Sequence, residues 1–213
     1  MSKKSLSKRW EDPNFVAGIE PQLRTFFDSN SWTEKIDLGG ISVGLDGPVK
    51  YLWDQHFIGK KISNVDLSSG RFSCGFGHSQ LSNLNIGNAF FDNCQMHKSV
   101  ITGCVFDNTD VRGISCDDSV FQKCSFRSAK LRSGIPLGGW GGKRVRFEDC
   151  DFTNATFRSV LFRASVFQGC VFENTHFHNR DMRGAKFFGG IPDLNEFSAC
   201  ETKGLSFDGR EVG

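Results

Sequence analysis

Neighbouring carboxylates are the first residues in this 213-residue chain whose types and spacing could do chemistry. Asp117 and Asp118 are adjacent, and Glu148, Asp149 and Asp151 form a second acidic group. Two carboxyl groups can act as general acid and general base if one of them is desolvated enough to raise its pKa. Nothing in the repeated sequence around these residues would desolvate them. We therefore predict no catalytic residue and no enzyme.

A glycine-rich segment at 133 to 144, SGIPLGGWGGKR, invites comparison with a phosphate-binding loop. In that loop, glycines at fixed spacing precede a Lys and then a Ser or Thr. Here the glycine spacing before Lys143 is wrong, and Arg144 occupies the position of the Ser or Thr. We predict no nucleotide or other cofactor, and we interpret the segment as a loop that projects from a corner of the fold. Trp140 on this loop either contacts a partner or folds back onto the protein.

Eight cysteines and five histidines raise the question of disulfides and metals. No C-x-x-C pair and no Cys/His zinc spacing occurs, and His176 and His178 flank Phe177 as a surface pair would. We predict no metal site and buried free thiols. The basic start, MSKKSLSKRW, lacks the apolar run of a signal peptide, and no stretch reaches the ~18 apolar residues of a membrane span. We expect a soluble, cytoplasmic protein with no membrane partner.

The strongest pattern is an apolar residue at every fifth position. Five matches neither the helical period of 3.6 nor the strand period of 2, so these side chains share one side only if the chain turns a corner every five residues. Residues two positions earlier are mostly small, with Arg180 as the misfit. The predicted aromatic core consists of Phe76, Phe91, Phe106, Phe121, Phe126, Phe147, Phe152, Phe157, Phe162, Phe167, Phe172, Phe177 and Phe187.

Units such as Cys104-Val-Phe-Asp-Asn108 and Ala155-Thr-Phe-Arg-Ser159 resemble those of the pentapeptide-repeat family. The resemblance implies an all-β fold, a right-handed quadrilateral parallel β-helix with about 20 residues per coil. We expect about six coils and a short N-terminal helical cap. Stacked coils ~4.8 Å apart would let backbones pair and like side chains form ladders.

The regularity of the repeat sets the expected boundaries. We assign 1–35 to an N-terminal tail and helical cap, 36–61 to degenerate first repeats and an excursion, 62–187 to the solenoid, and 188–213 to a C-terminal cap. Pro21 is expected in the first turn of the capping helix, because Leu23, Phe26 and Phe27 follow at helical spacing.

Charge gives the only functional signal. The net charge is +2, but residues 62–187 carry 15 basic and 11 acidic side chains. If the loop returns the chain to the same corner, two adjacent faces carry arginine columns that would bind carboxylates or phosphates. The alternative is that Asp92, Asp107, Asp110 and Asp181 neutralise them. The partner-binding candidates are Arg112, Arg132, Arg163 and Arg183 on one face, Arg127 and Arg158 on the next, and Trp140, Lys143 and Arg144 on the loop.

Three functions compete. We favour a non-enzymatic scaffold that presents this arginine-rich side to an anionic protein partner, without a small-molecule substrate. The resemblance implies an alternative, DNA mimicry that protects a type II topoisomerase (gyrase) from quinolones or a peptide toxin. The positive solenoid, the long N-terminal extension and the polar tail ETKGLSFDGREVG depart from that group. Direct binding of nucleic acid, which would depend strongly on salt, has no support from the net charge.

Overall fold

The computed structural model describes residues 3–133, 140–178, 180–197 and 199–211. Over these ranges the chain winds into a four-sided solenoid in which short strands of successive coils pair in parallel. The predicted quadrilateral parallel β-helix is therefore confirmed. One face contains seven stacked strands, so the solenoid has about seven coils. The count exceeds the predicted six because the strands beginning at Ile36 and Ser42 already pair with the next coil.

We number the faces in the order in which the chain crosses them. Face 1 consists of Ser31–Trp32, Lys61–Ser63, Gln80–Ser82, Val100–Thr102, Val120–Gln122, Arg146–Glu148, Val166–Gln168, Lys186–Phe188 and Ser206–Phe207. Face 2 consists of Ile36–Asp37 and Val65–Asp66, continued by single bridges at Asn85, Val105, Ser125, Asp151 and Val171. Face 3 consists of Ser42–Val43, Arg71–Phe72, Phe90–Asp92, Asp110–Arg112, Lys130–Arg132, Thr156–Arg158 and His176–His178. Face 4 consists of bridges at Gly75, Gln95 and Ser115, then Trp140–Gly141, Val160–Leu161, Arg180–Asp181 and Cys200–Glu201.

The core is a column of stacked aromatic rings. All thirteen predicted core phenylalanines are buried, the most accessible being Phe172 at 9%. Ring centroids of residues one coil apart lie 5.0 Å apart for Phe147 and Phe167 and 4.5 Å apart for Phe167 and Phe187, with nearly parallel planes. Rings on adjacent faces also meet edge to face, the other favourable aromatic geometry, as Phe147 does with Phe152 and Phe162 with Phe167.

Small polar side chains fill the corners of the core. The Ser99 hydroxyl donates to the carbonyl of Phe76, 2.7 Å away, and the Ser119 hydroxyl donates to the carbonyl of Met96, 2.6 Å away. These bonds satisfy polar groups that would otherwise be buried without a partner. None of the eight cysteines, all of which lie in the described ranges, forms a disulfide, and seven are buried. Burial raises the pKa of the Cys116 thiol well above its usual range, so this sulfur is not a thiolate nucleophile at neutral pH.

The turns between faces use the left-handed backbone conformation. Asn88, Asn108 and Asn154 have φ of 60°, 57° and 60°, and they stand at the same corner in different coils. Asn accepts this conformation more readily than most residues do, because its short side chain hydrogen-bonds locally. The same conformation recurs at the fifth position of other repeats, where residues such as Gly103 and Ala164 adopt it.

Three helical segments close the N-terminal end: α1 (Lys3–Lys8), a 3₁₀ turn (Arg9–Glu11) and α2 (Pro13–Asp28). The expectation that Pro21 lies in the first turn is wrong, since α2 begins eight residues earlier. Pro13 occupies that position, and the Asp12 side chain caps the helix by accepting from the Asn14 N–H at 2.9 Å. Pro21 lies inside α2, where it removes one backbone donor.

The N-terminal cap is fastened to the first coil by buried contacts. Phe26 and Phe27 of α2 pack on Phe57, with ring centroids 6.1 and 5.5 Å away. The Trp10 indole N–H donates to the Gly39 carbonyl at 2.9 Å. Gly40 has φ +76°, and a Cβ there would lie 2.5 Å from the Leu6 carbonyl. The close approach of the N-terminal segment therefore requires glycine at this position.

An excursion with a 3₁₀ turn, Lys50–Leu52, interrupts the first coil, and a second set of irregular elements closes the other end. The 3₁₀ turn Leu194–Phe197 covers the end of face 3, and Arg210–Glu211 pairs antiparallel with Ser206–Phe207 on face 1. Phe197 and Phe207 are both 7% exposed, so the last core rings are covered. None of the described helices is both long and apolar enough to span a membrane.

Candidate functional site

The outward residues on either side of each buried centre form columns along a face. In face 3, Arg112 pairs in register with Arg132, Arg132 with Arg158, and Arg158 with His178. The predicted grouping of Arg158 with Arg127 is therefore wrong. Arg127 lies on face 2 instead, in register with Asp107, whose carboxylate accepts from the Arg127 backbone N–H at 3.0 Å.

Arg163 and Arg183 lie on face 4 rather than with Arg112 and Arg132. The N–H of Arg144 donates to the Arg163 carbonyl, which places Lys143 beside Arg163 in the neighbouring coil. The prediction failed because the chain does not return to the same corner after Leu131. It crosses face 4 before it reaches face 1, so one coil contains six extra residues. Every later residue therefore lies one face further along the path of the chain than the prediction placed it.

The predicted loop at 133–144 is partly a strand. Trp140–Gly141 pairs with Val160–Leu161, and Gly142 continues along face 4, which corrects the expectation of a projecting loop for these residues. A Cβ on Gly141 would lie 2.1 Å from the Leu161 carbonyl, so glycine is required by close packing of the coils. Residues 134–139 and the side chain of Trp140 lie outside the described residues, and the expected partner contact of Trp140 remains a prediction.

Aspartates neutralise most of the predicted arginines. Arg163 and Arg183 both reach Asp181 at 2.6 Å, and the Asp181 side chain is only 10% exposed. Arg132 donates to both oxygens of Asp110, at 3.0 and 2.5 Å. Such internal pairs leave little net charge for a partner to recognise. The remaining close pairs are Arg127 with Asp151 at 2.5 Å and Arg144 with Asp118 at 2.6 Å.

One of these pairs shows how the acid partner is held in its charged form. The hydrogen bond from Arg144 lowers the pKa of Asp118, so this carboxylate stays ionised at neutral pH. Arg112 has a more distant acid partner than the other paired arginines. Its guanidinium lies 3.9 Å from Asp110 and 5.1 Å from the centroid of the Phe90 ring. Asp110 and Asp181 each contact two arginines of the strip and so offset part of its charge, whereas Asp92 forms no ion pair among the described residues.

Lys130 and Arg158 differ from Arg112 and Arg132, the two arginines of face 3 that contact Asp110. Lys130 and Arg158 are both exposed, and neither forms an ion pair within the part of the chain that the structure describes. They line a shallow groove of about 310 Å³ together with Leu131, Arg132 and Thr156. We call the four polar side chains Lys130, Arg132, Thr156 and Arg158 the basic groove.

Arg132 and Arg158 were predicted as binding residues from the sequence, whereas Lys130 and Thr156 were not. Lys130 and Thr156 directly precede a buried centre, whereas the predicted arginine columns follow one. The signal for Lys130 is a cation at the other outward position of the repeat. The actual coil length of 26 residues between Leu131 and Phe157 could not be read from the sequence.

A second depression, of about 540 Å³, adjoins the basic groove at Arg158. Glu196 borders it, but both carboxylate oxygens are already engaged. They contact His176 Nδ1 at 3.3 Å and the Phe177 N–H at 2.9 Å. Partial burial raises the pKa of Glu196, and these contacts more than offset that, so its pKa is below the usual value.

Face 2 has the opposite character. Asp37, Asp66 and Asp151 share one of its outward columns, and Asp107 and Glu173 lie in the other. Arg127 is the basic side chain placed among them, and Arg9 reaches Asp37 from the N-terminal segment at 2.6 Å. The solenoid therefore separates charge between adjacent faces, acidic on face 2 and basic in the groove of face 3.

The ranges that the structure covers contain no cluster of metal ligands. No group of three or more His, Cys, Asp or Glu side chains there is arranged to hold a metal ion. The stacked cysteines bond instead to the backbone, as when the Cys124 thiol contacts the Ile101 carbonyl at 3.5 Å. These residues act as small core side chains.

Comparison with known proteins supports the fold. The sequence model of one family, described as the SV2A/B/C luminal domain, matches residues 141–195, about a quarter of the chain. No curated protein sequence matches significantly. Two trypsin-treated forms of QnrB1, a plasmid-mediated fluoroquinolone resistance protein, are structurally similar with TM-scores of 0.55 and 0.52. They share 13% and 15% identity over 82% and 83% of this chain and 91% and 92% of theirs.

HetL, a pentapeptide repeat protein involved in heterocyst differentiation regulation in the cyanobacterium Nostoc, aligns over 93% of this chain and 99% of its own. Its identity is 13% and its TM-score 0.45, too low to carry an argument. At these identities the likeness establishes architecture only, a stack of flat-sided coils whose outer residues vary from protein to protein.

Proposed function

We propose that this chain, which has the pentapeptide-repeat fold, is a non-enzymatic scaffold that binds an anionic protein partner through the basic groove of face 3. A repeat solenoid supplies a rigid, flat surface, and its function depends on the side chains that the surface presents. The observation that carries the proposal is the pair Lys130 and Arg158. Both are exposed and lack a carboxylate partner among the described residues, while most neighbouring arginines are neutralised.

Rigidity favours this surface as a binding site. The side chains of the basic groove stand on strands whose centres, Leu131 and Phe157, are 1% and 0% exposed. Their backbones are fixed by bonds between coils, such as the N–H of Thr156 to the Ala129 carbonyl at 2.9 Å. Little backbone conformational entropy is lost on binding, so a modest number of charged contacts can yield specific association.

The test is affinity capture from the native host with the double variant Lys130→Glu/Arg158→Glu. We expect the partner to be captured by the native protein and lost with the variant, because both cations become repulsive to an anionic surface. The matched control is Lys61→Glu/Lys186→Glu on face 1, which makes the same charge change at two exposed lysines. Equal melting temperatures would show that all proteins are folded. Retention of every partner by the groove variant would overturn the proposal.

A second candidate function has one observation in its favour, the acidic face 2. Asp37, Asp66 and Asp151 lie in one column of this face and Asp107 and Glu173 in the other, and QnrB1 is a fluoroquinolone resistance protein of similar fold. The candidate is protection of a type II topoisomerase. A gyrase supercoiling assay with a quinolone tests it: protection that is lost in Asp66→Asn/Glu173→Gln would favour this function over the scaffold.

A further inference from the structure

The basic groove has a regular geometry that limits the anions it can accept. Lys130 is paired in register with Thr156, and Arg132 with Arg158, on neighbouring strands. The four side chains therefore stand at the corners of a rectangle above the buried Leu131 and Phe157. Its sides are ~4.8 Å across the strands and about 7 Å along them, from the standard strand dimensions.

The charge of this rectangle is close to two. Asp110, which is paired in register with Lys130, offsets Arg132 by accepting its two N–H groups at 3.0 and 2.5 Å. Lys130 and Arg158 occupy opposite corners and remain uncompensated within the described ranges. A single dianion in the centre would satisfy both, whereas a monoanion would leave one positive charge unpaired.

The hydrogen-bond donors point to the same ligand. Arg158 offers a forked pair of N–H groups, Lys130 offers an ammonium, and the Thr156 hydroxyl makes no hydrogen bond to any described residue. A carboxylate carries a single charge on two oxygens, so it would balance only one of the two uncompensated cations. A phosphate monoester has three terminal oxygens and a charge of about −1.5 to −2 at neutral pH, so it can contact all three side chains at once.

We propose that the basic groove is a binding site for a phosphate monoester, carried by a phosphorylated side chain of the partner protein. This inference rests on the proposed function and adds to it the chemistry of the recognised group. The groove of about 310 Å³ is open enough to admit a phosphorylated side chain that is still attached to its peptide backbone. Arg158 forks two phosphate oxygens, Lys130 neutralises the third, and Thr156 donates its hydroxyl.

Binding is tested first with defined probes on the full chain. Backbone amide NMR spectra are recorded during titration with a phosphoserine peptide, the same peptide with serine, and the same peptide with glutamate. At constant ionic strength, we expect the phosphopeptide to bind at least tenfold more tightly than the glutamate peptide, with shifts centred on the amides of Lys130, Thr156 and Arg158. Equal affinity of the phosphoserine and glutamate peptides would overturn the inference.

The variants Lys130→Gln and Arg158→Gln should each weaken the phosphopeptide at least tenfold, while Lys61→Gln on face 1 should leave its affinity unchanged. Partner capture is then repeated after phosphatase treatment of the lysate. Capture that persists after dephosphorylation yet still requires Lys130 and Arg158 would overturn the phosphate inference and leave the scaffold function intact. Capture that requires neither residue would remove both. Tighter binding of duplex DNA than of the phosphopeptide would also count against the inference, because phosphodiesters carry one charge per phosphate.

Discussion

At the scale of single residues, a repeat places an aromatic ring in the core and a charged side chain on the surface beside it. Phe157 is fully buried and meets Phe152, Phe162 and Phe177, with centroids 5.4, 5.7 and 4.8 Å away. Arg158, the next residue, is exposed. Because the two side chains point to opposite sides of a two- or three-residue strand, stability and recognition can vary independently at adjacent positions.

Replacement of Phe157 by alanine tests the aromatic column. We expect a loss of about 3 to 5 kcal/mol in the free energy of unfolding, because the removed ring leaves a cavity that its stacked neighbours cannot fill. Urea denaturation followed by circular dichroism measures it. The control is Phe188→Ala, at a residue 37% exposed on face 1, where a much smaller loss is expected. Equal effects at both sites would contradict the role assigned to the column.

At the scale of elements, segments outside the repeat cover the two ends of the solenoid, and these segments need contacts of their own. The last carbonyls of α2 have no partner within the helix, a general property of helix ends. The buried Lys60 of the first complete coil supplies a hydrogen-bond donor. Its Nζ donates to the carbonyls of Phe27 and Ser29 at 2.5 and 2.6 Å. A cation is also favourable at a helix C-terminus because of the helix dipole. This contact joins the cap to the solenoid.

Lys60→Met should lower the free energy of unfolding by about 1 to 3 kcal/mol, because two buried carbonyls lose their donor while the apolar stem is kept. Hydrogen exchange should also become faster in α2 than in the central coils. Lys61→Met, one residue later and exposed, is the matched control. A Lys60 variant as stable as the control, with unchanged exchange in α2, would show that the cap is held by its aromatic contacts alone.

At the scale of the whole molecule, the solenoid is a linear array in which each coil contacts only the coils next to it. Most coils contain 20 residues, as the register of Phe157 with Phe177 shows, and one contains 26. Length can therefore change by whole coils without altering any contact type. The same linearity keeps the acidic column of face 2 and the basic groove of face 3 on separate sides.

Deletion of residues 85–104 removes one complete coil and should leave a cooperative thermal transition with a similar β-type circular-dichroism spectrum. Residue 105 then follows Leu84 at the position that Asn85 held, since Asn85 and Val105 are aligned in neighbouring coils. Deletion of 85–106 removes two residues more, so the coil cannot close in register, and we expect a markedly lower melting temperature. If both deletions melted alike, the coil would not be the unit of stability.

The sequence by itself determined the core and the architecture, because a five-residue period of buried centres requires a chain that turns a corner every five residues, and the resemblance to pentapeptide-repeat proteins implied four corners per coil. It also located an N-terminal helical segment, through the spacing of Leu23, Phe26 and Phe27. Only the tertiary structure decided which charges share a face. That assignment depends on where the chain re-enters the solenoid after Leu131, and the six inserted residues carry no period that fixes the face. The neutralisation of Arg163 by Asp181 and the isolation of Arg158 both follow from this register, and contacts between coils set it.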